Sequence, residues 1–306
     1  MSLLGPDKDQ LSAIRSQINE SPERMQSNLA LLRQWVQCQP HLPQHLDDQL
    51  AMIFLRGCKH NLERTKQKLD VYFSVRGAVP ELFSKRDPLS KDIQQAMEVM
   101  HAYPLPQLTP DGSRVTVHHI TTDDVALFNL QAILRTQLML GDVRIQEESP
   151  ISGDIFLFDL SHFRAGHCTT LTASLPLLRE ALSCVQEAYP QRLKQIHIIH
   201  AQPFIDKLVN LFKAFMKEKM RNRFYVHSSV KSLHQYIPAD ILPVKYGGDC
   251  DKDLQAEWCK KLESYRSWFA EQEHVRTDES RRPIKSFSSN RDMFGCEGSF
   301  RKLSID

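Results

Sequence analysis

The sequence predicts an α/β fold, in which an N-terminal helical bundle precedes a domain built on a mostly parallel or mixed sheet. Two observations predict it. Through the first eighty residues apolar side chains recur at helical spacing between recognisable caps. After Pro80 short β-rich runs alternate with long helical stretches. Such alternation packs helices against a sheet whose strands run largely parallel.

In the bundle, Ser21 can cap a helix that starts on Pro22, and Met25, Leu29, Leu32 and Val36 form its apolar stripe until Pro40. A second helix begins near Asp47 and carries Leu50, Ile53 and Phe54. A third starts at Asn61, buries Leu62, Thr65, Leu69, Tyr72 and Phe73, and is expected to end at Gly77. Strands are expected at 114–120, 154–160 and 195–200, with helices at 128–140, 172–188, 203–223 and 258–273. The chain thus divides into a helical unit over 1–90, a sheet domain ending in a helix over 91–270, and a tail over 271–306. That tail is rich in Ser, Arg and Asn, and disorder is expected there.

Composition narrows the function. No stretch approaches the ~20 apolar residues that span a bilayer, and residues 1–10 have no signal-peptide core, so a cytoplasmic protein is expected. Seven cysteines without C-x-x-C spacing read as reduced packing thiols. A net charge of +2 argues against a general nucleic-acid binder. One region is nevertheless basic: nine Lys and Arg residues between positions 190 and 231 are opposed only by Asp206 and Glu218.

Catalytic and metal signatures are missing. There is no Gly-x-Gly-x-x-Gly turn, P-loop or Gly-x-Ser-x-Gly elbow. Asp159, Ser161 and His162 have the right types for a triad, but such near neighbours do not converge. His197 and His200 point to opposite faces of a strand, as do His118 and His119, and His162 and His167 lack partners at metal spacing. No enzyme, metal or cofactor is expected.

Several segments, taken in order over roughly residues 25–270, carry a resemblance. They are Phe54-Leu55-Arg56, Leu62-Glu63-Arg64-Thr65, Phe156-Leu157-Phe158-Asp159-Leu160, Ile196-His197-Ile198-Ile199 and Ile241-Leu242-Pro243-x-x-Tyr246-Gly247-Gly248. Together they resemble the CRAL-TRIO (Sec14-like) lipid-binding family. The resemblance implies a helical N domain and a lipid-binding domain in which the sheet floors a closed pocket under a lid helix. It implies an intracellular carrier of one hydrophobic small molecule or lipid, exchanged at phosphoinositide-containing membranes during transient peripheral association. A phosphoinositide-dependent adaptor in membrane trafficking is the alternative. Whether the ligand is a tocopherol, a retinoid, a phospholipid or another terpenoid stays open, since apolar walls discriminate weakly.

The implied pocket residues are Ile133, Thr136, Leu140, Phe156, Phe158, Ile196 and Ile198. The lid is helix 203–223, where Ile205, Leu208, Val209, Phe212, Phe215 and Met216 follow helical spacing with lysines opposite, a pattern suited to a membrane interface. Arg192, Lys194, Lys219 and Arg223 match phosphoinositide-binding positions. The family's remaining basic position, two residues after Arg56, is Cys58 here, with Lys59 beside it as the substitute.

Overall fold

The computed structural model of the chain describes residues 2–283. Helices α1 (Lys8–Ile18), α2 (Pro22–Gln37), α3 (Asp48–Gly57), α4 (Leu62–Ala78) and α5 (Pro80–Phe83) form the bundle. Its four longer helices start where the sequence offers a cap: Asp7, Ser21, Asp47 and Asn61 accept from the backbone N–H groups of Gln10, Arg24, Leu50 and Arg64. Helix α6 (Lys91–Val99) leads into β1 (Met100–Leu108) and β2 (Ser113–Ile120). There follow α7 (Leu130–Glu147), β3 (Gly153–Asp159), α8 (Ala165–Ala173), α9 (Leu175–Glu187) and β4 (Leu193–Ile199). After α10 (Ile205–Ala214), α11 (Glu218–Arg221) and β5 (Phe224–Val226) come α12 (Val230–Leu233), α13 (Leu254–Ser264) and α14 (Arg266–Gln272).

The sheet runs β1-β2-β3-β4-β5, with β1 antiparallel to β2 and the other neighbours parallel. Its register aligns Thr116, Phe156, Ile196 and Phe224, and likewise His118, Phe158, Ile198 and Val226. Paired residues share a face, so these eight lie on one side.

Strands β1 and β5 escape the sequence pattern for physical reasons. β1 contains Pro104 and Pro106, which remove ladder donors; it tolerates them at the sheet's edge, where the register shifts between Pro104 and Leu108. β5 has three residues, too few to show alternation. Helix α7 starts after Phe128 because Asn129 caps it, and it continues through Gly141, where a Cβ would lie 3.2 Å from the Tyr189 ring. The helix expected over 172–188 is two, broken at Ser174, and that over 258–273 is broken at Tyr265.

The bundle's core runs on into the sheet domain. Leu69, Tyr72 and Phe73 of α4 cluster with Leu138 and Ile145 of α7 and with Ala181 and Cys184 of α9. At this junction Asp142 accepts hydrogen bonds from Arg76 at 2.7 Å, Arg86 at 2.6 Å and the Tyr189 hydroxyl at 2.8 Å. Burial works to raise the Asp142 pKa, but the two guanidiniums overcome it and hold the carboxyl below its usual range.

The start of the tail is a correction. Residues 271–283 lie folded against the bundle, with the N–H groups of Thr277 and Asp278 donating to the carbonyls of Phe73 and His41. Arg282 reaches Asp70 and Ser74. The remainder of the expected disorder, 284–306, lies outside the described residues. Among the described residues no helix is long and apolar enough to cross a membrane.

Candidate functional site

An apolar cluster lines the region between the sheet's Phe156 side, α7, α9 and α10. Ile133, Ile196 and Ile198 are buried in it beside Ile205, Leu208 and Val209, with Phe158, Phe212 and Met216 partly buried against them. Phe156 touches Phe158 edge-on at 6.4 Å. Thr136 is buried too, but its hydroxyl donates to the Ala132 carbonyl of its own helix. Leu140 packs in a different cluster, with Met139, Val143 and Leu157. Phe215 stands half-buried at the C-cap of α10.

The helix expected over 203–223 is therefore shorter. Its break at Phe215–Lys217 has a tertiary cause: the Gln186 side chain donates to the Phe215 carbonyl and accepts from the Lys217 N–H. Those backbone groups are satisfied without the continuing helix. The result is an apolar segment, α10, followed by a basic one around α11.

Beside this cluster opens a cavity of about 710 Å³, with Phe156 and Leu193 in its wall. It gathers the five basic residues picked from the sequence: Lys59, Arg192, Lys194, Lys219 and Arg223. Arg64, Lys68 and Lys217 join them, and no carboxylate lines it. Lys194 pairs with Asp111 at 2.7 Å and Lys217 with Glu187 at 2.7 Å. Lys59, Arg64, Lys219 and Arg223 have no carboxylate partner among the described residues.

Each wall is positioned by its own element. The turn from α3 to α4 passes through left-handed backbone at Lys59 and His60, which brings Lys59 and Cys58 both onto the cavity. Arg64 and Lys68 lie one turn apart on α4. That i, i+4 spacing after a capping Asn61 was the signal available for two cations missed by sequence reasoning. Burial and then the neighbouring Arg64, Lys217 and Arg223 lower the pKa of Lys219. Lys68 is lowered to about 8, chiefly by burial, while its ammonium donates to the carbonyls of Gln186, Glu187 and Tyr189 at the end of α9. Burial raises the Cys58 thiol. Like charges are thus crowded along one wall, and those beside Lys219 lower its pKa.

Behind this wall, Arg56 is engaged by Glu20 at 2.9 Å, and His60 lies 3.2 Å from the same carboxylate. Burial would raise the Glu20 pKa, but hydrogen bonds from His60 and Arg56 hold it at about 2 rather than 4.5. A depressed carboxyl contributes stability that is complete above its unfolded value and is lost as pH falls through the folded one. Replacing Glu20 with Gln should therefore flatten the loss of stability between 4.5 and 2. Urea midpoints measured across that window check it; parallel curves for parent and variant would refute the coupling.

Of the residues with the right types for a triad, Ser161 meets the Asp159 carboxylate through its backbone N–H and not through its hydroxyl. Asp159 is held by Lys245 at 2.8 Å, His200 at 2.8 Å and the Tyr246 hydroxyl at 3.0 Å, while His162 turns to Asp123. Burial opposes the Asp159 charge, yet these partners keep its carboxyl far below its usual range. His197 is buried against His227 at 2.8 Å. Among the described residues no group of three or more His, Cys, Asp or Glu side chains is arranged to hold a metal ion.

Comparison with known proteins matches residues 99–248 to the CRAL/TRIO domain and residues 21–93 to a Pinta-like UBA domain. The mouse alpha-tocopherol transfer protein-like protein is 28% identical over 260 residues, 82% of this chain and 73% of its own. Rat clavesin-2 is 27% identical over 261 residues, 84% of this chain and 79% of its own. The crystal structure of Sfh5 aligns with 83% of this chain and 92% of its own, with a TM-score of 0.46 at 15% identity. With its sheet domain and its helical bundle both matched in order, the chain belongs to the CRAL-TRIO family.

Proposed function

We propose that this protein is a cytoplasmic lipid carrier that encloses one hydrophobic molecule between its sheet and α10 and exchanges it at phosphoinositide-containing membranes. The observation that carries this reading is the carboxylate-free cavity of eight cations sharing Phe156 with the apolar side of the sheet. Lys and Arg bind phosphate groups through charge-assisted hydrogen bonds, and several phosphates on one headgroup relieve the mutual repulsion of the cavity. Lys217 and Lys219 follow α10 directly in the chain, so a headgroup held there pulls on the segment that bears the lid. At a membrane the apolar face of α10 exchanges the sheet for acyl chains, which lowers the cost of opening. The name of the tocopherol-transfer relative supports a terpenoid-sized ligand. Mass spectrometry of organic extracts from natively purified protein identifies it.

Phe212 tests the lid. It is partly buried against the cluster containing Ile196 and Ile198, and a carboxylate there faces a large desolvation penalty. Phe212→Asp should speed release of a bound fluorescent lipid to acceptor vesicles about tenfold or more. A folded variant that retains the lipid as long as the parent does would show that α10 is not the lid.

A further inference from the structure

His118 stands in the middle of β2, opposite Phe158 in register, its ring stacked on Phe158 at 4.7 Å and edge-on to Phe156 at 5.3 Å. It is 8% exposed, and its Nε2 finds no hydrogen-bond partner among the described residues. On α7, one residue after Thr136, Gln137 comes near enough to favour the protonated ring. No hydrogen bond closes between them, and the amide nitrogen and oxygen of Gln137 are both buried without a partner among the described residues. Three polar atoms are therefore withheld from water at one place, between the sheet and α7. Proteins leave few such atoms, because each forfeits a hydrogen bond it would make in water.

The surroundings select what would satisfy them. Burial, opposed by Gln137 and assisted by Arg144, lowers the His118 pKa to about 4, so the ring is neutral, with one nitrogen donating and the other accepting. The charge of Arg144 is balanced by Asp154 at 2.7 Å and Glu148 at 2.7 Å, although its Nε has no partner among the described residues. A carboxylate or phosphate entering here would lose its hydration without gaining a counter-charge. A hydroxyl or carbonyl would pair with the imidazole and the amide at no such cost. Phe158, against which His118 stacks, belongs to the cluster of Ile133, Ile196, Ile198 and α10.

We infer that His118 and Gln137 form a polar subsite that receives the hydroxyl or carbonyl of an otherwise apolar ligand. This rests on the carrier reading above and names its ligand class: a neutral lipid alcohol, aldehyde or ketone, in preference to a hydrocarbon or a charged lipid head.

The test measures uptake of tritiated octadecan-1-ol and of octadecane from phosphatidylcholine vesicles by the full chain. It compares the parent with the double variant His118→Phe, Gln137→Leu, which keeps the volume and removes the polar atoms. The alcohol-to-alkane uptake ratio should fall about tenfold in the variant, because the alcohol loses its partners while the alkane no longer strands them. Equal ratios in parent and variant overturn the subsite and assign those atoms to buried water. A parent that takes up both probes without preference leaves the carrier standing and removes the subsite. A parent that takes up neither removes both. For the parent alone, the His118 ring ¹⁵N resonances should move on adding octadecan-1-ol and stay on adding octadecane. That result supports the subsite even where the variant does not fold, and identical responses to the two probes overturn it.

Discussion

Replacing Asp142 with Ala should remove about 3–5 kcal/mol of folding stability, the usual cost of breaking a buried ion pair from one side. The carboxylate is wholly buried between Arg76 and Arg86, themselves 4% and 2% exposed, so its removal strands two guanidiniums away from water. The Tyr189 hydroxyl loses its acceptor as well. Asp142→Asn keeps an acceptor and discards the charge, and should fall between parent and alanine variant. Because α4 and α7 share one core, bundle and sheet domain should unfold together in a single urea transition, displaced to lower denaturant. A loss below about 1 kcal/mol would place the pair among weakly coupled surface bridges.

Neutralising Lys219 and Arg223 together should weaken attachment to vesicles containing phosphatidylinositol bisphosphate by about thirtyfold, at about 1 kcal/mol per charge. Both residues line the cavity without a carboxylate partner among the described residues, so their removal frees no buried acid. Attachment of the parent should fall as salt rises, and the double variant should show the shallower salt dependence. Uptake of a lipid from detergent should stay unchanged, because neither residue belongs to the apolar cluster. Sedimentation across a salt series measures the first, and ligand fluorescence the second. Equal sedimentation of parent and variant at every salt concentration would remove the headgroup assignment. Loss of uptake instead would assign these residues to support of the cavity.

What could be read locally was read well where the signal is local. Ser21, Asp47 and Asn61 announce helices because a side-chain oxygen within three residues satisfies an end N–H, whatever else the chain does. The runs around Val115, Ile155 and Ile196 announce strands by composition alone. Signals of the opposite kind were invisible. Pro104 and Pro106 argue against a strand until β1 is known to be an edge, and helix 203–223 has unbroken periodicity until Gln186, from another helix, satisfies the groups at its break.

The sequence by itself determined the α/β class, the helical bundle, the central strands, the amphipathic segment that becomes α10 and a basic stretch, because periodicity, caps and charge are properties of neighbouring residues. Tertiary structure alone decided that Arg64, Lys68 and Lys217 join Lys59, Arg192, Lys194, Lys219 and Arg223 around one cavity. It also decided that Leu140 belongs to a different cluster from Ile133, and that His118 and Gln137 come together buried and unpartnered among the described residues. The reason is that convergence depends on which faces exclude water against each other. Here that choice is made by the core shared between α4, α7 and α9 and by the Asp142 ion pairs, whose members lie 66 and 56 residues apart in the chain.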